Sequence, residues 1–190
     1  VTSLWASPVA AQDEALTAEA VQAVMDNLWL VIAGCLVFLM QAGFALVEAG
    51  LTRAKNVGNI MAKNLADMAI GAMAFFIVGW TVAYGTSESK WWGGLNDFFF
   101  KDSADPSAIF DTSAGLTPAT GFFFQVVFAA TAVTIASGAM AERTKFSTYL
   151  IFSAVMTALI YPVVVHWTWG GGLIAQIEIG GRVYSDFAGS

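Results

Sequence analysis

Apolar residues gather into four long runs, Leu28–Val47, Met68–Tyr84, Gly121–Ala141 and Thr148–Trp169, separated by segments that hold most of the charge. Each run is close to the roughly 20 residues a helix needs to cross hydrocarbon. Barrel strands would be shorter, would alternate and would be more numerous, so the pattern predicts an all-α bundle with four spans. Ahead of the first run, Asp13–Met25 reads as a short outer helix leading into the membrane, with Thr17 and Ala20 as weak capping candidates. The fold class is therefore a polytopic helical membrane protein.

Composition agrees: 57% of the 190 residues are hydrophobic and 12% charged, with a mean hydropathy of +0.68, far from the balance of a soluble domain. The net charge of −6 resides mainly in connecting segments and says little about partners; a nucleic-acid partner is not expected. Residues 1–52 hold no Lys or Arg, whereas Arg53, Lys55 and Lys63 follow the first span and Arg143 and Lys145 the third. The positive-inside rule then places 1–26 and 85–118 outside and 49–63 and 141–147 in the cytoplasm. Trp91, Trp92 and Phe98–Phe100 are expected as interfacial anchors. The stretch "VTSLWASPVAAQ" (1–12) is open to two readings, the remnant of a signal peptide over residues 1–11 or a tail. The single Cys35 lies within a span and implies no disulfide framework.

Three polar or aromatic groupings stand out within this apolar background. Glu48, with Arg53, Lys55 and Asn56 just beyond it, reads as interfacial pairing and anchoring. Phe124, Gln125 and Phe128 fall on neighbouring sectors of the third span, followed by a series of small residues that let helices approach closely. "YPVVVHWTWGGG" (161–172) ends the fourth run with His166, Trp169 and three glycines. An aromatic face beside chain free of side chains suits a cation. Cation–π contacts return about 1–2 kcal/mol each, against an idealised dehydration cost of tens of kcal/mol for an ammonium ion. Rings can recruit such an ion but cannot carry it across; loss of the proton escapes most of the penalty. His166 is expected as a hydrogen-bonded structural histidine rather than a proton relay. With no nucleophile–base pair and no metal-ligand cluster in the spans, neither an enzyme, a cofactor nor a metal is expected.

"GFALVEAGLTRAKN", "QVVFAATAVTIASGAMAER", "HWTWGGG" and "DFAGS", in this order and spacing, resemble the ammonium transporter (Amt/Mep/Rh) family over residues 27–190. The resemblance implies the N-terminal portion of an eleven-helix fold built from inverted repeats, with a narrow apolar pore in each subunit of a homotrimer. It implies an ammonium transmembrane transporter in the inner or plasma membrane, N-terminus outside, taking ammonium or ammonia from one side of the bilayer, with a PII-type cytoplasmic regulator. Residue by residue, Phe128 corresponds to the outer gate phenylalanine, Phe124 to an aromatic one turn outward, and Trp169 to the tryptophan of the recruitment site. Asp186 corresponds to an aspartate near that site, with an indirect role as an N-cap. The family's two pore histidines, its recruitment-site serine and its inner gate lie beyond Ser190, and His166 is neither pore histidine. The alternative is an ammonium sensor, in which the same domain acts on a cytoplasmic signalling domain.

Overall fold

The computed structural model describes residues 17–96, 98, 99, 116–184 and 186. Four helices are long and apolar enough to cross a membrane: α1 (Ala18–Leu51), α2 (Ala54–Tyr84), α3 (Pro118–Met140) and α4 (Phe146–Thr168). They are followed by a two-stranded hairpin, β1 (Glu178–Ile179) and β2 (Arg182–Val183). The start of α1 meets the start of α3 where Asn27 Oδ1 accepts from Thr117 N at 3.1 Å, and the end of α2 meets the end of α4 through His166 and Ala83. Helices α1 and α3 thus run one way, α2 and α4 the other. The bundle has a Trp169 end and a Glu142 end.

Two expected boundaries are corrected. The outer helix and the first span are one uninterrupted helix, started by Thr17, whose Oγ1 accepts from Ala20 N at 3.2 Å; Ala20 lies inside it, and residues 13–16 lie outside the described residues. The second span starts at Ala54 rather than Met68. Lys63, Asn64 and Asp67 depress the local hydropathy there, yet all three are buried and turned into the bundle. Lys63 is 0% exposed and so does not belong to a cytoplasmic segment. The third and fourth spans fall within a few residues of expectation, the third started by Thr117 as cap and Pro118 at the first position.

At the Glu142 end the turn between α3 and α4 is latched to the start of α2. Glu142 Oε1 accepts from Arg53 N at 3.0 Å and Asn56 Nδ2 at 2.6 Å, and the Arg53 guanidinium reaches Oε2 at 3.0 Å. A carboxylate at a helix start is stabilised by unpaired N–H groups and the helix dipole. These bonds, led by that from Arg53, hold the Glu142 carboxyl down at about 2, so its contribution is complete above the ordinary value of 4.5 and is lost as pH falls through 2. The thermal-unfolding difference between the full-length protein and its Glu142→Gln variant should be constant above about pH 5 and vanish toward pH 2. A difference that vanishes already by pH 4.5 would contradict the latch.

Below the latch the interior is polar. Among the described residues the buried carboxylate and lysine side chains are Glu48, Lys63 and Asp67. Glu48 accepts from Asn64 Nδ2 and Ser137 Oγ, each at 2.8 Å, and so joins α1, α2 and α3. Asp67 accepts from Tyr149 OH and from Ser153 Oγ at 2.6 Å, joining α2 to α4. Lys63 Nζ lies 4.4 Å from the centre of the Tyr149 ring, a cation–π contact. Further along α1, Gln41 bridges Thr131 and Thr134 of α3 at 2.9 and 2.8 Å. The interfacial pairing expected of Glu48 with Arg53 and Asn56 is therefore corrected: those two residues serve Glu142, and Glu48 turns inward. Polar side chains in such a setting hold membrane helices together because the alternative is an unsatisfied group in hydrocarbon.

Toward the Trp169 end the interior becomes aromatic, with Phe75, Trp80 and Tyr84 of α2 packed against Ala129 and Val165. Here both α2 and α4 widen by one π turn, at Phe75–Gly79 and Met156–Ile160. Pro162 lies two residues beyond the second of these. It offers no N–H and would crowd a carbonyl one turn back, and the wide turn absorbs both effects.

Candidate functional site

A cavity of about 230 Å3 opens between α3 and α4 at the Trp169 end, lined among others by Phe128, Thr131, Tyr161, Val164, Thr168 and Trp169. Two of the expected site residues, Phe128 and Trp169, thus line one cavity. Phe124 stands behind them, its ring 5.0 Å from that of Phe128 and tilted by 58°, but it is not part of the cavity lining. Gln125, expected on the same sector, is instead buried in the packing between helices; successive helical residues differ by about 100°, and that rotation carries it off the Phe124–Phe128 face. A larger cavity, about 540 Å3, lies at the Glu142 end beside Glu48 and Arg53 and touches none of the expected site residues.

The glycine run directly follows Trp169 of the smaller cavity. A Cβ on Gly170 would lie 2.2 Å from Ala83 O, and one on Gly172 would lie 2.5 Å from His166 O, so neither position has room for a side chain. Gly171 has φ +78°, which favours glycine. His166 itself does not line the cavity. It is 2% exposed, with Nδ1 2.8 Å from Ala83 O and Nε2 3.0 Å from Ser89 O, the hydrogen-bonded setting of a structural histidine.

The expected anchors have mixed placements. Trp91 is exposed and meets Trp167 edge to face at 6.0 Å, and its carbonyl accepts from Trp167 Nε1 at 2.9 Å. Phe99 stands 6.3 Å from Phe76, while Phe100 lies outside the described residues. Asp186 is half-buried and apart from the cavity lining; the helix it was expected to cap falls on residues 187–190, outside the described residues. Among the described residues no cluster of His, Cys, Asp or Glu could hold a metal ion.

What the sequence reading did not bring together is the polar ladder of Gln41, Glu48, Lys63, Asn64 and Asp67: Gln41, Asn64 and Asp67 were not singled out, and Glu48 and Lys63 were read as interfacial or cytoplasmic. The spacing 60, 63, 64, 67, 71 of the buried residues in α2 was a usable signal, because it repeats at the helical period and so marks one face.

Four apolar spans with a polar interior and an aromatic cavity at one end define a polytopic helical membrane protein. The chain belongs to the ammonium transporter family, whose model matches residues 28–190. It is 47% identical over 171 residues to ammonium transporter Amt2 of Archaeoglobus fulgidus, covering 87% of this chain and 34% of that protein. It is 41% identical over 187 residues to a putative ammonium transporter of Synechocystis, covering 98% of this chain and 40% of that one. Among solved structures it is similar to one titled Sensor Amt Protein, with a TM-score of 0.69, 39% identity, and coverage of 80% of this chain and 36% of the other. It is also similar to Mep2 of Candida albicans, with a TM-score of 0.69, 27% identity, and coverage of 78% and 32%. The chain thus spans between about a third and two fifths of these relatives.

Proposed function

We propose that this chain is the first part of a transporter that moves ammonium or ammonia across a membrane, with the cation recruited at the Phe128–Trp169 cavity. The observation that carries this reading is that the two aromatic residues, 41 positions apart in sequence, line one cavity at the end of the bundle. A cation–π wall offsets a small part of the ion's dehydration, so the cavity concentrates the ion and the passage beyond it favours the deprotonated species. Phe124 backs the gate, and Asp186 supports the site from outside the cavity. The path itself is completed by helices beyond residue 190, in a homotrimer with a PII-type regulator on the cytoplasmic side. With Lys63 inside the bundle, the basic residues Arg53, Lys55, Arg143 and Lys145 still gather at the Glu142 end, which supports placing the Trp169 end and the N-terminus outside the plasma membrane.

Trp169→Leu in the full-length protein keeps bulk and removes the ring face. Saturable methylammonium uptake is expected to show an apparent affinity weaker by roughly 5- to 30-fold, the equivalent of about 1–2 kcal/mol. Phe128→Ala is expected instead to widen the constriction and reduce selectivity against other cations. Unchanged affinity in Trp169→Leu would reduce the aromatic pair to packing.

A second reading, an ammonium sensor, has one observation beside it, the similarity to the structure titled Sensor Amt Protein. The same uptake measurement separates the two, since a sensor binds methylammonium without sustained flux.

A further inference from the structure

Both ring nitrogens of His166 face carbonyl oxygens, Ala83 O at 2.8 Å and Ser89 O at 3.0 Å. A carbonyl oxygen only accepts, and a neutral imidazole offers one N–H and one bare nitrogen. A neutral ring would therefore turn a lone pair toward an oxygen at one of the two contacts. Both are made when both nitrogens carry hydrogen, as in imidazolium. The acceptor on α2 suits such a ring. Ala83 O belongs to the last turn of that helix, where carbonyls lack helical partners and a cation is stabilised. The neighbouring carbonyls are already taken, Thr81 O by Gly85 N at 2.8 Å and Val82 O by Gly93 N at 2.7 Å.

We propose that His166 is a doubly donating clasp that fixes Trp169 against the cavity, and so is a positioning residue for ammonium recruitment; this rests on the reading of that cavity given above. The ring ties the end of α2 and the segment after it to α4. The backbone of the same residue then holds the glycine turn, with His166 O accepting from Gly170 N at 3.1 Å and Gly172 N at 2.9 Å. Trp169 therefore sits between a helix end and a turn that both close on His166. The glycines are part of the device. A Cβ on Gly170 would stand 2.6 Å from the ring Nδ1, and one on Gly172 2.8 Å from Cδ2, so the turn can wrap the ring this tightly only without side chains. The ring is absent from the cavity lining, so it acts on the site through the placement of Trp169 and not by touching the cation.

Nitrogen-15 NMR of the full-length protein labelled at histidine, with the His166 signal assigned by its loss in His166→Gln or by its shift in Gly170→Ala, reads the hydrogen on each ring nitrogen. Two protonated nitrogens are expected; one bare nitrogen overturns the clasp. In methylammonium uptake, His166→Gln, with its single donor group, should raise KM about five-fold, the equivalent of one hydrogen bond, with the effect falling on KM rather than on Vmax. Gly170→Ala, which leaves the ring's chemistry alone and crowds its contact, should act in the same direction and supplies the transport readout if His166→Gln does not fold. Unchanged KM in these variants beside a raised KM in Trp169→Leu removes the positioning role. Unchanged KM in Trp169→Leu as well means that the cavity reading has failed and the positioning role with it, while the ring-nitrogen signal still decides the clasp.

Discussion

Asp67→Ala is expected to destabilise the bundle by about 3–5 kcal/mol, the range for removing one partner from a buried, hydrogen-bonded charge network. Its carboxylate takes the hydroxyls of Tyr149 and Ser153, so truncation strands two buried donors on α4. The same truncation leaves Lys63, 0% exposed, with a more distant counter-charge. Asp67→Asn keeps the shape and one acceptor, and its loss should be smaller. Unfolding midpoints of the full-length protein in detergent give the measurement, with Ile151→Ala on the exposed face of α4 as the reference. If Asp67→Ala lost no more than Ile151→Ala, the network would be idle.

The crossing of the two π turns should be comparably sensitive. Gly79→Leu would place a Cβ 2.5 Å from Thr157 O and 2.6 Å from the Phe75 ring. The first neighbour is backbone, which cannot rotate aside, so α2 and α4 must separate. Overpacking of this kind costs typically about 1–3 kcal/mol, and the upper end is expected here because the larger side chain must also find space. Gly58→Leu is the matched comparison, because a Cβ at Gly58 meets nothing within 4 Å. Equal midpoints for the two variants would show that the crossing has slack.

The spans were legible in the sequence because hydropathy is a property of a window, and α1, α3 and α4 are apolar nearly throughout. The early start of α2 was not, because a window cannot tell a lysine facing water from one facing a tyrosine ring. Lys63 and Asp67 lower the average wherever they point. Phe128 and Trp169 could be named from motif resemblance, and the structure gives them a common cavity. The part played by His166 was half legible. Its spacing from Trp169 suggested a shared face, but its partners, Ala83 and Ser89, are backbone oxygens some 80 positions away, and no side-chain pattern announces a carbonyl. Glu48 was misassigned for the opposite reason, since nearby bases at a helix end offered a partner that Glu142, far along the chain, had already taken.

The wide turn in α4 also divides that helix into two phases. Buried positions run 149, 153, 157 before and into it and 162, 165, 166 after it, one residue out of step with a single helical repeat. Removing one residue from Met156–Ile160 would rotate everything beyond by about 100°, carrying His166 and Trp169 around the axis while Tyr149 and Ser153 stayed in place. The Trp169 half of the helix is thus indexed separately from its Tyr149 half, and comparisons of its aromatic rim between relatives are meaningful only when that one-residue offset is preserved.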